Sequence, residues 1–225
     1  MILFGVETTD QTASVALMID GTFVSERSVA GTRRHAETVA PLAEAVLREN
    51  GLTAADVDCF AVDVGPGSFT GVRIGVCFVN ALGFAAQRGV IAVDSLLTLA
   101  VGAPALSDRV CALIDAGNGN AYAAQYEGGV CVMEPAAVSV EEFLPHILEN
   151  ACVVGSGALA YRAAILSHKP HSILAPAECA MPRAGAVLLA AQSMTKRADR
   201  MAAPLYLRPS QAERLFEKRM GERER

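Results

Sequence analysis

Two acids close apolar runs in this 225-residue chain. Glu7 ends the run ILFGVE and is followed by Thr8, Thr9 and Asp10. Asp115 ends the run that starts at Arg109, with a glycine-rich turn at 117–120 behind it. A carboxylate at a strand end beside a polar turn can hold Mg²⁺ through water, or it can simply cap the turn. A third element is the loop Gly65-Pro66-Gly67-Ser68, set between the apolar run 59–64 and a long apolar stretch. Ahead of a helix, such a loop offers backbone N–H groups and a positive dipole end to an anion. Read as geometry alone, it is a tight strand-to-helix turn. No Lys-Ser/Thr pair follows, so it is not a Walker A motif, and its glycine spacing is not the dinucleotide fingerprint.

Other chemistries find no candidate. The histidines are His35, His146, His168 and His171, and the close pair His168/His171 straddles Pro170, which cannot present two ligands on one helix face. No metal site and no cofactor is expected. There is no GxSxG elbow and no Cys/His pair in a recognisable context. Cys59, Cys77, Cys111, Cys131, Cys152 and Cys179 are scattered, mostly inside apolar runs and without a CxxC pair, which suggests reduced, buried thiols in a cytoplasmic protein rather than a disulfide framework or zinc site. The opening MILFGVETTD has no basic segment and no long apolar run, and a signal peptide is not expected.

These groups need elements to position them. Capped by Ser68 or Thr70, a helix is predicted over 71–88, whose only clearly polar side chains up to Ala86 are Arg73 and Asn80. A helix apolar all round must be buried all round. Gly71, Gly75 and Gly83 lie four or eight apart and leave a stripe open to a close backbone. The helix then reads as half core and half docking surface, or else as wholly intramolecular core. Its 16-residue apolar stretch, 71–86, falls short of the ~20 residues a bilayer needs and carries Arg73 and Asn80, so we expect no membrane span. A second helix begins at His35 or Thr38 and runs to Arg48. Val39, Leu42, Ala43, Val46 and Leu47 form one continuous stripe along it. Pro41 must lie in its first turn or kink it. His35 is either a functional contact or a helix-start packing and hydrogen-bonding residue.

Around these, strands are expected at 2–7, 13–19 and 22–29, with Asp20-Gly21 as a two-residue hairpin turn, then at 90–93. A short helix at 95–101 and a linker at 102–108 follow. The second half reads as strands 109–115, 121–126, 130–133 and 152–154, helices 140–148, 158–167 and 184–196, an extended segment 204–208 and a charged helix from Ser210. Each half runs strand, acid, turn, strand, hairpin, strand, helix, strand, GxG, helix. The expected fold is therefore α/β, with two duplicated domains, 1–103 and 104–225, and a cleft between them. Two acid-tipped strands facing across a cleft describe the actin-like (ASKHA, ribonuclease H-like) architecture of actin, Hsp70 and sugar kinases.

The formal charge is −5, with +4 concentrated in 196–225 and −9 on the remainder. An acidic body is a poor stand-alone nucleic-acid binder, and the basic tail reads as a solvated helix face before it reads as an RNA contact.

The run GPGSFTGVRIG, 65–75, resembles the TsaB (YeaZ-like) family. Arg34-His35, Pro41-Leu42, Asp115-Ala116 with Tyr122, and Pro204-Leu205-Tyr206-Leu207-Arg208 resemble the family's other blocks, in order. The resemblance implies a duplicated actin-like fold and a role in making threonylcarbamoyladenosine at adenosine 37 of tRNA. It implies kinship to the catalytic subunit TsaD, whose HxxxH metal motif has no counterpart in 93–100 here. A non-catalytic subunit follows, docking on TsaD, helping recruit the ATPase TsaE and meeting tRNA only through the complex. Alone it would form a homodimer. The expected docking residues are His35, Val39, Leu42, Ala43, Val46, Leu47, Gly71, Val72, Gly75, Val76 and Val79. A vestigial nucleotide cleft would use Glu7, Thr8, Gly65, Gly67, Ser68 and Asp115. Glu7 stands where the family usually has Asp, and Gly117 and Asn120 replace its usual Arg and Glu. The rival readings are an actin-like ATPase or small-molecule kinase, a metallopeptidase, and a plain homodimer.

Overall fold

A computed structural model describes residues 1–31, 34–194 and 198–208. The expected charged helix from Ser210 and residues 195–197 lie outside these. Two five-stranded sheets are built on one plan. In the first, β1 (Ile2–Glu7) pairs antiparallel with β2 (Ala13–Ile19), which pairs antiparallel with β3 (Thr22–Val29). On its other side β1 lies parallel to β4 (Cys59–Asp63), and β4 parallel to β5 (Gly89–Val93). The second sheet repeats this with β6 (Arg109–Gly117), β7 (Asn120–Glu127), β8 (Val130–Ser139), β9 (Cys152–Val154) and β10 (Ile173–Leu174). Asp20 and Gly21 both take positive φ, 50° and 77°, as a two-residue hairpin turn demands.

Alternation along β1 sends Phe4 and Val6 to one face of the first sheet and Leu3 and Gly5 to the other. The Phe4 face is covered by α1 (His35–Glu49) and α2 (Phe69–Ala86). The Leu3 face is covered by α7 (Ala184–Gln192). Gly5 is what lets α7 settle there, because a Cβ at that position would lie 2.7 Å from the Leu188 side chain. The chain thus crosses back from its second half to seal its first sheet. Between the sheets sits α3 (Ser95–Val101), with Leu96 and Leu99 packed into the core under β6 and β7.

Several elements differ from expectation for local reasons. The helix expected over 140–148 is a single turn, α4 (Val140–Phe143), then a 3₁₀ turn over Leu144–His146, because Pro145 has no N–H to continue the ladder. Instead of one helix over 158–167, α5 (Ser156–Ala160) and α6 (Arg162–His168) are separate pieces. β8 runs on to Ser139, six residues past the expected end. α2 starts two residues early, at Phe69, and stops where Gln87 turns left-handed at φ 51°. Its 18 residues are two more than the apolar stretch expected from sequence, and by length and composition they are long and apolar enough to cross a membrane. Its inner face is nonetheless in the core on β4.

The glycines of α2 set how close it lies. Thr8 Oγ1 donates to the Gly71 carbonyl at 2.8 Å, and a Cβ on Gly71 or Gly75 would run into Thr8. The stripe expected to admit another molecule's backbone is occupied by this chain itself, by Thr8 just after β1 at Gly71 and Gly75 and by Val90 of β5 at Gly83. The two polar residues of the helix also have intramolecular work. Asn80 donates to the Ala202 carbonyl at 2.9 Å and accepts from its N–H at 2.8 Å. Arg73 lies 3.9 Å over the Phe69 ring and donates to the Tyr206 hydroxyl at 3.0 Å, while Tyr206 stacks on Phe69. A strap, 198–208, is thereby fastened along the flank of α2. It is held further by the Val90–Asp199 bridge and by Leu205 N–H donating to the Val64 carbonyl at 2.8 Å.

Gly71→Ala is expected to cost about 1–3 kcal/mol in urea unfolding, because the added methyl meets backbone rather than a movable side chain. Asn80→Ala should cost about 1–2 kcal/mol through the loss of two bonds to the strap, and should raise hydrogen exchange at Ala202.

Candidate functional site

A cleft of about 760 Å³ opens where the two sheets' loops face one another. Thr9, Asp10 and Gln11 line it from the β1–β2 turn, Gly67 and Ser68 from the β4–α2 loop, and Asp115 and Tyr122 from the second sheet. Leu205 and Tyr206 of the strap close one side. Of the residues expected there, Gly67, Ser68 and Asp115 are present, whereas Glu7, Thr8 and Gly65 lie beneath the surface.

Each of these is committed to local structure. Ser68 caps α2, its Oγ accepting from Gly71 N–H at 3.2 Å, while its own N–H donates to the Thr9 carbonyl at 2.7 Å. Gly67 presses on Thr9 so closely that a Cβ would clash with the Thr9 backbone. Asp115 Oδ1 accepts from Gly117 N–H at 2.9 Å and from the Tyr161 hydroxyl at 2.6 Å, which makes it the cap of its own turn. Glu7 Oε1 accepts from the Thr9 N–H and from the Thr9 hydroxyl, the latter at 2.7 Å. Thr8 is taken up with Gly71, and Gly65 N–H donates to Asp63 Oδ1 at 2.9 Å. Among the described residues no group of three or more His, Cys, Asp or Glu is placed to hold a metal.

Asp63 was missed from sequence, although it carries the same signal as Glu7 and Asp115, an acid closing an apolar strand. It lies wholly buried beside Glu7, and its Oδ1 also accepts from the Ser95 hydroxyl at 2.6 Å. Burial pushes Asp63 up to about 7. Burial, reinforced by the charge of Asp63, drives Glu7 well above the usual carboxylate range.

His35 is the first residue of α1 and is buried, with Nε2 2.7 Å from the Asp10 carbonyl. That oxygen can only accept, so Nε2 carries the proton. His35 therefore ties the start of α1 to the β1–β2 turn, the hydrogen-bonding role of the two considered.

The expected docking residues require a correction. Val39, Ala43, Val46, Leu47, Gly71, Val72, Gly75, Val76 and Val79 all belong to the inner faces of α1 and α2 and are buried by this chain itself; Val76 is 3% exposed. Leu42 is half-buried at their edge. Periodicity found an apolar stripe, and on each helix the stripe faces the sheet. The outer face of α2 is a second apolar surface. It exposes Cys77, Ala81, Phe84 and Ala85, with Phe84 84% exposed and Ile74, Phe78 and Leu82 half-buried beside them. Ala36, Ala40 and Pro41 are exposed on α1.

The family model described as TsaD, tRNA N6-adenosine threonylcarbamoyltransferase, matches residues 29–214. The tRNA threonylcarbamoyladenosine biosynthesis protein TsaB of Escherichia coli (strain K12) is 36% identical over 129 residues, which is 56% of this chain and 55% of that protein. The chain thus spans about half the length of the curated relatives it matches. A crystal structure from Pseudomonas aeruginosa, of a protein with similarity to the peptidase YeaZ, superposes with a TM-score of 0.78 at 29% identity, covering 92% of this chain and 99% of that one. The activator of 2-hydroxyisocaproyl-CoA dehydratase from Clostridium difficile, solved with ADPNP bound, shares the fold at a TM-score of 0.53 and 11% identity, over 90% of this chain and all of that one. The fold is the duplicated actin-like one, and the chain belongs to the TsaD family as a TsaB/YeaZ-like protein.

Proposed function

We propose that this chain is a cytoplasmic, non-catalytic subunit in the synthesis of threonylcarbamoyladenosine on tRNA. It docks on a TsaD-type catalytic subunit through the outer face of α1 and α2. The observation that carries this is the apolar surface of α2 around Cys77, Ala81, Phe84 and Ala85, which is exposed among the described residues. Large apolar surfaces left open on a folded chain mark interaction sites. The buried stripe of Val39, Val46, Val72, Val76 and Val79 sets the positions of both helices, and the contact belongs to the residues one face further round. His35 belongs to the same supporting layer.

A non-catalytic role is supported by the cleft. Its expected nucleotide groups are spent on the fold, with Ser68 and Asp115 capping turns and Glu7 and Thr8 below the surface. The stretch 93–100 carries no histidine pair. On this reading tRNA and a TsaE-type ATPase are met through the assembly, and the isolated chain self-pairs on the same face. The domain division falls near residue 103, with α7 returning across it to the first sheet.

Ala81→Glu and Phe84→Glu should each weaken binding to the TsaD-type subunit by about tenfold or more, read by calorimetry. Their unfolding free energies should stay within about 0.5 kcal/mol of wild type, since both sites face solvent. Unchanged binding by both variants would remove the docking face. Turnover of ATP by the isolated chain would favour the kinase-like reading instead.

A further inference from the structure

The carboxyls of Glu7 and Asp63 are not used by the docking reading, and their setting is unusual. β1 and β4 run parallel with Val6 opposite Val62, so Glu7 and Asp63 are the next pair along the two strands and leave the sheet on the same face. Both side chains are wholly buried. In each, one oxygen is satisfied by donors. Glu7 Oε1 has Thr9, and Asp63 Oδ1 has Ser95 and Gly65. In each, the other oxygen, Glu7 Oε2 or Asp63 Oδ2, is buried with no hydrogen-bond partner among the described residues.

An ionised carboxylate oxygen left bare in a dry site is among the costliest arrangements a fold can hold. The charged groups acting on the pair do not relieve it. Asp10, from the β1–β2 turn, and Asp94, at the head of α3, are both acidic. The other neighbours are neutral: Thr9 from the turn, Gly65 from the loop, Ser95 and Thr98 from α3. Neither carboxyl enters an ion pair among the described residues.

We infer that Glu7 and Asp63 hold a proton between them, with Glu7 Oε2 and Asp63 Oδ2 joined through it, and that this proton locks the two cleft-lining loops to the sheet. One hydrogen satisfies both orphaned oxygens at once: one carboxyl donates and the other accepts. The loops are fastened by the same two groups, the Thr9–Gln11 turn through Glu7 and the Gly65–Ser68 loop through Asp63. Releasing the proton places two negative charges side by side in a wholly buried site. The β1–β2 turn and the start of α2 then lose their common anchor.

The direction with pH follows from linkage. An unfolded Asp or Glu gives up its proton near pH 4, while the folded pair retains one well above that. Across that window the folded state binds more protons than the unfolded state, so stability is greatest at low pH and falls as pH rises, until the folded pair also lets go. One retained proton lowers the folding equilibrium constant about tenfold per pH unit.

The test is urea unfolding of the full chain between pH 5 and 9, for wild type and for the double variant Glu7→Gln/Asp63→Asn. That variant keeps the shape of the pair and supplies amide N–H donors in place of the shared proton, but cannot titrate. The wild-type constant should fall relative to the variant by about tenfold per pH unit through part of this range. Parallel curves would overturn the inference. Should the variant not fold, ¹³C carboxyl shifts of wild type decide. Glu7 and Asp63 should keep a protonated-carboxyl signature at pH 6, and ionised shifts for both there would overturn it.

Discussion

The seat of α2 on Thr8 is the constraint from which the rest follows. Gly71 and Gly75 lack side chains where the end of β1 presses against the helix, and Thr8 hands its hydroxyl to the Gly71 carbonyl. This close contact draws Val72, Val76 and Val79 into the core with Phe4, Val6 and Val62. Once the inner face is consumed, the opposite face of an apolar helix has nowhere to go. Cys77, Ala81, Phe84 and Ala85 stay outside because the sheet can cover only one side of the helix.

The same seat organises the cleft. The β1–β2 turn and the β4–α2 loop are bound to each other through Ser68 and Thr9, and to the sheet through Glu7 and Asp63. Of the groups that could have faced a ligand, Glu7 and Thr8 are turned inward to hold these loops, while Ser68 lines the cleft as the cap of α2. Across the cleft Asp115 is likewise held, by Gly117 and Tyr161. The strap adds a third wall, reaching the cleft at Leu205 and Tyr206 while remaining pinned to α2 through Arg73 and Asn80. One helix therefore borders both the cleft and the uncovered surface.

Topology was the most legible feature in the sequence. Alternation, the Asp20-Gly21 turn and the repeated order of elements are local signals, and together they anticipate two sheets of one plan. Direction was less legible. Val39 to Leu47 shows that α1 has an apolar stripe, but a stripe does not say whether it meets the chain's own sheet or another molecule. For α2 the hydrophobicity on both faces concealed which was which, and only the seat of Gly71 on Thr8 decides it. α7 gave no hint of its destination, because a run of alanines, leucines and valine has little periodic contrast and its site on Gly5 is created by tertiary packing. Arg73 and Asn80 stood out as polar breaks, yet their partners lie more than a hundred residues away in the strap. Asp63 was hidden by its place inside an apolar run, although its position at a strand end matched those of Glu7 and Asp115.

The proposal that a partner closes the outer face of α2 is tested most directly by the thiol chemistry of Cys77. Contrary to the expectation of buried thiols, it is exposed on the outer side of α2 and Cys131 and Cys179 are half-buried, whereas Cys59, Cys111 and Cys152 are buried. In the dilute isolated chain Cys77 should react rapidly with a maleimide, and saturating TsaD-type subunit should protect it, while the buried thiols stay silent in both states. A Cys77 that reacts equally fast with and without the partner would contradict the account.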